Sequence, residues 1–203
     1  MADIAEKLDR LRGTFEQMRS VLVAYSGGID STLVLKVAYD TLGEKAIGVT
    51  AVSATLPAAE LAEARELAAT IGARHVTFDT DQLAIPAFAR NDAERCFHCK
   101  TDLYRGIERI QRDWPGATVV DGTHADDLSD DRPGLRAARE WGVRSPLLET
   151  GIGKADVREL ARSLGLANAD KPAAACLSSR IPRGMPITVE KLSRVEHAEA
   201  ALL

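Results

Sequence analysis

Ser26-Gly27-Gly28-Ile29-Asp30-Ser31 is the stretch of this chain best suited to chemistry. Two adjacent glycines let a backbone come close to a ligand, because no Cβ stands in the way. The apolar run Val21-Leu22-Val23-Ala24-Tyr25 precedes them, and Thr32-Leu33-Val34-Leu35-Lys36-Val37-Ala38 follows. That order reads as strand, turn and helix. A helix N-terminus presents unpaired N–H groups and the positive end of its dipole, which together attract anions. Ser26, Ser31 and Thr32 add hydroxyls, so the loop is read as a phosphate cradle. The plain alternative is a glycine-rich turn with no ligand.

What the loop lacks narrows the chemistry. There is no G-x-x-x-x-G-K-[ST] lysine to reach a terminal phosphate, and no G-x-G-x-x-G dinucleotide fingerprint. Ser-Gly-Gly-x-Asp-Ser resembles instead the PP-loop of the ATP pyrophosphatases. That resemblance implies cleavage of ATP between its α- and β-phosphates, adenylation of a substrate and release of pyrophosphate. It places Ser26, Gly27, Gly28, Asp30 and Ser31 on the nucleotide.

The three cysteines form a second group. Cys96 and Cys99 lie in Arg95-Cys-Phe-His-Cys-Lys100, and Cys176 lies in Ala173-Ala-Ala-Cys-Leu-Ser-Ser-Arg180. A Cys-x-x-Cys on a tight turn can aim both thiolates at one metal, and a distant third cysteine can complete the set. His98 would make a Cys₃His site that zinc accepts. Iron–sulfur clusters usually take four thiolates, so three would leave one iron open. A redox pair and, for Cys176, plain packing among alanines are the other readings. Lys171 and Arg180 bracket the Cys176 loop, and nearby positive charge favours a thiolate. Arg180 alternatively grips a phosphate or carboxylate. Lys100, next to Cys99, is read as a phosphate contact or as a solvated lysine.

Asp121-Gly122-Thr123-His124-Ala125-Asp126-Asp127 follows an apolar run, with Asp130 and Asp131 shortly after. Carboxylates beside a triphosphate hold Mg²⁺. Asp126 is the first choice from its place past a strand end, while Asp130 and Asp131 read as solvated loop.

These residues need a scaffold. Apolar residues make up 45% of the 203-residue chain, enough to bury a core for one α/β domain, alone or with a small appendage. Helical stripes recur at Ile4–Met18, 32–42, 61–71, 103–110 and 157–164, and strand-like runs at Val21–Ala24, Ala46–Val52, 74–78 and 117–120. Alternation of the two predicts a parallel sheet covered by helices. Ligands of such sheets sit beyond the carboxyl ends of the strands, where Ser26, Ser53 and Asp121 fall, with Gly122 and Thr123 next in line. Beyond Cys176 the chain reads as loop through Pro182, Gly184 and Pro186. A closing helix from Val189 to Leu203 follows, with Thr188 as its N-cap. A formal net charge of −4 gives no sign of a broad nucleic-acid surface. No apolar run is long enough for a membrane span or a secretory leader, so a cytoplasmic protein is expected.

Taken together the motifs resemble the LarE family of ATP-dependent sulfur transferases. They are the loop at 26–31, Arg95-Cys-x-x-Cys-Lys100, Gly122-Thr-x-Ala-Asp-Asp127, Arg132-Pro-Gly-Leu-Arg136, Arg144-Ser-Pro-Leu147 and Lys171-Pro-Ala-Ala-Ala-Cys-Leu-Ser-Ser-Arg180. The match runs from about residue 5 to about 195, and the last motif is the most specific. It implies an adenine nucleotide alpha hydrolase-like, PP-loop ATPase fold. It also implies adenylation of a carboxylate of pyridinium-3,5-biscarboxylic acid mononucleotide and its conversion to a thiocarboxylate, a step toward the nickel-pincer nucleotide of lactate racemase. Cys176 matches a cysteine that one branch sacrifices as sulfur donor, becoming dehydroalanine. A three-cysteine branch instead carries the sulfur on a [4Fe–4S] cluster, and Cys96, Cys99 and Cys176 resemble that set. ATP, Mg²⁺ and the cluster are the implied cofactors, Cys176, Arg180 and Lys100 the implied catalytic residues, and a homo-oligomer is compatible with the family.

The resemblance has departures. His124, Ser129 and Asp131 stand where Asn, Gly and Tyr are expected, and Arg183 where an aromatic is usual. Relatives continue into a small C-terminal domain, whereas here residues 1–187 read as the PP-loop domain and 188–203 as a terminal helix. The competing expectations are a PP-loop tRNA thiolase, which needs a basic surface, an amidotransferase of the NAD synthetase type, which needs no cysteines, and a nucleotide-binding module with structural zinc.

Overall fold

The computed structural model describes residues 3–129, 133–172 and 175–202. In chain order its elements are α1 (Ile4–Met18), β1 (Val21–Ala24), α2 (Ile29–Leu42), β2 (Ala46–Val52), α3 (Ala58–Ile71), β3 (Arg74–Asp79), α4 (Pro86–Ala89), α5 (Arg95–Gln111), β4 (Thr118–Val120), α6 (Pro133–Glu140), α7 (Pro146–Glu149), α8 (Lys154–Ser163) and α9 (Val189–Ala200). Single 3₁₀ turns occupy Gly43–Lys45, Gln82–Ala84, Ala125–Ser129 and Leu177–Arg180. Asp130 and Asp131 lie outside the described residues. Among the described residues no helix is long and apolar enough to cross a membrane.

The four strands are parallel in the order β3-β2-β1-β4. Val21 pairs with Ala46 on one side and with Thr118 on the other. The chain winds outward from β1 to β3, then returns to β1's far side as β4. That reversal opens a crevice beyond the carboxyl ends of β1 and β4, the place where doubly wound sheets bind ligands.

All four residues of β1 are buried. Val21 and Val23 join the core beneath α1, α2 and α8, while Leu22 and Ala24 join the one beneath α5 and α6. A period of two feeding two cores means that both faces of the sheet are covered. A third, smaller cluster lies under the Cys176 loop and is built from Phe88, Leu177, Ile181, Ile187 and Leu192. Burying such side chains contributes about 1.5–3 kcal/mol each, so this segment is fastened down and not draped over the surface.

The helix after the glycine loop begins at Ile29, three residues before the apolar stripe, with Gly28 as N-cap. Asp30 and Ser31 therefore stand in its first turn. A 3₁₀ turn occupies Leu177–Arg180, where the pattern read as loop. Thr188 caps α9 as expected, its Oγ1 accepting from Lys191 N at 3.3 Å.

Candidate functional site

The glycine loop is held from within and from behind. Gly27 has φ +77°, and a Cβ there would stand 2.8 Å from Ala64 Cβ. Glycine is therefore required both for the backbone angle and for the close approach. Ser31 Oγ donates to Gly28 O at 3.0 Å and accepts from Ser26 N at 3.2 Å. The Asn168 amide, buried behind the loop, donates to Gly27 O at 2.9 Å and to Thr32 Oγ1 at 3.1 Å. Ser31 and Thr32 are buried and hold the loop's shape, and Ser31 also lines the crevice cavity.

A cavity of about 250 Å³ opens at the crevice between β1 and β4. Ser26, Asp30, Lys100, Gly122, Thr123 and Asp127 are among its walls. Gly122 touches the loop so closely that a Cβ would lie 2.8 Å from Ser31 N. Asp121, 3% exposed, accepts from Tyr104 Oη at 3.2 Å, Thr123 Oγ1 at 2.9 Å, Thr123 N at 3.1 Å and Ser145 Oγ at 2.8 Å. Lys100 lies over the Tyr104 ring, 5.6 Å from its centroid. Tyr104 and then Asp121 hold its ammonium above the usual lysine range, against the burial that would lower it. Burial also pushes the Tyr104 phenol up to about 12. Lys100 is thus a half-buried cation in the cavity wall.

Asp126, the sequence choice for Mg²⁺, is tied to α8. Its Oδ2 accepts from Lys154 N at 2.6 Å, at the start of α8. Asp127, the next residue, is the one that lines the cavity. Its carboxylate lies 3.5 Å from His124 Nδ1, and His124 Nε2 is 4.0 Å from Asp30.

A second cavity of about 230 Å³ lies on the other side of the loop. It shares Ser26, Gly28 and Asp30 with the first, and adds Lys154, Lys171 and Cys176. Lys154 Nζ makes a bidentate pair with Asp30 at 2.6 and 2.8 Å. Lys171 corrects a sequence expectation. Its ammonium is bound to Glu60 (2.8 Å) and Glu63, so it is not a cation free to activate Cys176. Burial opposes its charge, but the two carboxylates outweigh that and raise its pKa.

Cys96 and Cys99 occupy the first turn of α5. Helical geometry, not a tight turn, brings them together, since residues three apart share a face. His98, two positions from Cys96, is turned off that face and sits edge-on to the Phe97 ring at 5.6 Å. Cys99 is pushed up to about 11, first by burial, then by the neighbouring Cys176, with a smaller push from Cys96. The three sulfurs thus lie within one electrostatic neighbourhood. Gln82 Nε2 donates to Cys99 Sγ at 3.3 Å, and guanidinium nitrogens of Arg183 and Arg95 stand 3.9 and 4.0 Å from Cys96 Sγ. Cys176 is exposed, its Sγ 3.0 Å from Ser178 Oγ. Among the described residues no three His, Cys, Asp or Glu side chains close to metal-ligating distance.

Ser53 lies beyond β2 as expected but turns toward the sulfur side, where its Oγ donates to Gln82 Oε1 at 3.2 Å. Arg180 pairs with Glu199 of α9 at 2.6 Å, its Nη1 on Ser179.

The NAD synthase family model matches residues 5–102, which hold the glycine loop and the Cys-x-x-Cys. An uncharacterized protein of Synechocystis sp. is 47% identical over 199 residues, 98% of this chain and 74% of that relative. The pyridinium-3,5-bisthiocarboxylic acid mononucleotide synthase of Lactiplantibacillus plantarum is 38% identical over 203 residues, all of this chain and 74% of that protein. The chain belongs to the LarE family. In fold this LarE chain is similar to the NH₃-dependent NAD synthetase of Campylobacter jejuni, with a TM-score of 0.68 at 14% identity, covering 98% and 96% of the two chains. The NMN synthetase of Francisella tularensis gives 0.69 at 15% identity, covering 98% and 87%. Both bear out the parallel sheet with flanking helices as the PP-loop ATPase fold.

Four residues of this LarE chain escaped the sequence reading: Lys154, Asn168, Gln82 and Asn91. Each acts on a partner distant in sequence, so local pattern carries no trace of it. Lys154 had one faint signal, the Gly153-Lys154 pair opening an apolar stripe.

Proposed function

We propose that this protein is an ATP-dependent sulfur transferase that adenylates a carboxylate of pyridinium-3,5-biscarboxylic acid mononucleotide and converts it to a thiocarboxylate. The observation that carries the reading is that Cys176 and the glycine loop wall the same cavity, which adjoins the crevice cavity through Ser26, Gly28 and Asp30. The name of the Lactiplantibacillus plantarum relative supplies the substrate class.

A carboxylate resists attack because its leaving group would be oxide. In the proposed reaction a substrate carboxylate oxygen attacks the α-phosphorus of ATP and expels pyrophosphate. The loop N–H groups and Lys100 hold the phosphates, and Lys154 turns from Asp30 to the developing negative charge, electrostatic assistance of the oxyanion-hole type. A sulfur nucleophile then adds to the acyl carbon, and AMP leaves with the oxygen that joined it to the acyl group. Asp127 and Asp30 are the carboxylates beside the phosphates where Mg²⁺ would sit, neutralising charge on the departing pyrophosphate.

Cys96, Cys99 and Cys176 are of the donor type that iron–sulfur groups take, although among the described residues they do not close to metal-ligating distance. Three sulfurs share one neighbourhood, and Arg95 and Arg183 bring positive charge to offset thiolates. Cys96, Cys99 and Cys176 would hold a [4Fe–4S] cluster with one iron lacking a cysteine, and that cluster would supply nucleophilic sulfur. Gln82 orients Cys99, while the Arg180–Glu199 pair holds the rim of the Cys176 loop. In this reading residues 1–187 form the PP-loop domain, and the helix within 188–203 packs on the turn that follows Cys176.

Anaerobic purification followed by iron and acid-labile sulfide analysis tests the sulfur half. Iron and sulfide in near-equal amounts, lost in Cys96→Ala, are expected. Stoichiometric zinc without sulfide would overturn the cluster. Loss of one H₂S from Cys176 after turnover would assign the sulfur to the cysteine itself.

A further inference from the structure

Asn91 is 0% exposed and has φ +57°, a left-handed conformation that asparagine tolerates better than other side chains. It stands between α4 and α5, just ahead of the Cys-x-x-Cys. Its Nδ2 reaches three carbonyls of the segment beyond Cys176, donating to Ile181 O at 3.2 Å, Pro182 O at 2.8 Å and Met185 O at 3.0 Å. Its Oδ1 accepts from Arg95 Nη1 at 2.8 Å, and the same nitrogen donates to Ser178 O at 2.8 Å. Its backbone carbonyl accepts from Gly184 N at 3.0 Å, and Ile187 N reaches Ala89 O at 2.9 Å.

These bonds, donated from both sides, join the α4–α5 junction and the start of α5 to the segment that carries Cys176. They would be wasted on a loop held only by packing, because the third apolar cluster already fastens Leu177 and Ile181. What they add is register. Cys99 packs against that same cluster, and Arg95 adjoins Cys96 in sequence while its other nitrogen faces Cys96 Sγ. A buried polar network satisfied at so many points fixes one arrangement where apolar contacts alone permit sliding.

We infer that Asn91, acting with Arg95, is the positioning residue that sets Cys176 against the Cys96–Cys99 face of α5. The inference rests on the reading above that the three cysteines act together, but it concerns their geometry and can be tested without turnover. Asn91→Asp keeps the shape and the acceptor for Arg95 but removes all three amide donations. Asn91→Gly keeps the backbone angle and removes the side chain.

The test is bridging of thiols in the reduced, metal-free full chain by dibromobimane, with bridged peptides identified by mass spectrometry. Wild-type protein is expected to give both Cys96–Cys99 bridges and bridges that contain Cys176. In both variants the Cys96–Cys99 bridge, which reports an intact α5, should persist. Bridges to Cys176 should fall about tenfold, equivalent to about 1.4 kcal/mol. ATP–pyrophosphate exchange should stay near wild type in Asn91→Asp, because the loop at 26–31 is untouched. Unchanged Cys176 bridging in both variants would overturn the inference, as would wild-type protein that never bridges Cys176. Failure of sulfur transfer with this bridging pattern intact would count against the proposed function alone.

Discussion

Lys154 and Asp30 are 124 residues apart in sequence, yet the lysine ammonium sits 2.6 and 2.8 Å from the two carboxylate oxygens. The loop has no lysine of its own, and α8 delivers one from outside. The pair is partly exposed, 30% and 29%, so water screens it and little stability is stored there. In the proposed reaction its value lies in keeping a cation beside the phosphates. Lys154→Met is expected to lower ATP–pyrophosphate exchange by about 10²–10³-fold, the loss typical of removing one preorganised electrostatic partner. The melting temperature should stay close to wild type.

Asp121 is the reverse case. It is buried and receives four donated hydrogen bonds beside the Lys100 ammonium. Asp121→Ala leaves that cation and those donors unanswered and is expected to cost about 3–5 kcal/mol of stability. Urea unfolding measures the loss. Tyr104→Phe removes only the hydroxyl's links to Asp121 and Lys100 and should cost about 1–2 kcal/mol.

Gly122→Ala probes the contact between strand end and loop. The new Cβ would press on Ser31 N at 2.8 Å and Asp30 C at 3.0 Å, both backbone atoms that cannot swing aside. Overpacking of this kind costs about 1–3 kcal/mol. The displaced atoms belong to the phosphate cradle, so ATP affinity should fall along with stability. Calorimetric titration with ATP distinguishes this from a change in stability alone.

His75 gives the fold an acid limit. Burial, then the nearby Arg65 charge, depress its pKa below the ordinary value of 6.5. In the neutral form its Nε2 is 2.8 Å from Thr50 Oγ1, and its ring meets Tyr25 edge-on at 5.2 Å. As pH falls through 6.5 the unfolded chain takes up a proton that the folded chain refuses, so stability declines on acidification. Above that pH both states are neutral and the contribution is flat. His75→Gln should flatten the slope of melting temperature against pH on the acid side.

Much of the scaffold was legible because its signals are local. β1 is a pure apolar run and β2 one broken only by Gly48 and Thr50, and α1, α3, α5 and α8 carry stripes at helical spacing. α4, α6 and α7 were not seen: α4 and α7 are four-residue helices opened by proline, and α6 spans only eight residues, all too short to show a period. The meeting of the loop with the β4 end at the crevice was legible through Gly27, Gly28, Gly122 and Thr123, which sit at strand ends. Lys171 misled, because its charge beside Cys176 in sequence is answered by Glu60 and Glu63 on α3. Asp126 accepts from the backbone at the start of α8, a bond its local sequence did not signal. The arrangement of the cysteines was half visible. Their spacing was plain, but the clasp from Asn91 joins residues about 90 apart and left no periodic mark.

The central claim is that adenylation and sulfur delivery converge on one carboxylate. Its most direct test is the mass of pyridinium-3,5-biscarboxylic acid mononucleotide after incubation with anaerobically purified protein, ATP and Mg²⁺. The account predicts exchange of a carboxylate oxygen for sulfur, with AMP and pyrophosphate formed in equal amounts and only when the nucleotide is present. Recovery of the nucleotide unchanged, with AMP and pyrophosphate released at the same rate in its absence, would contradict it.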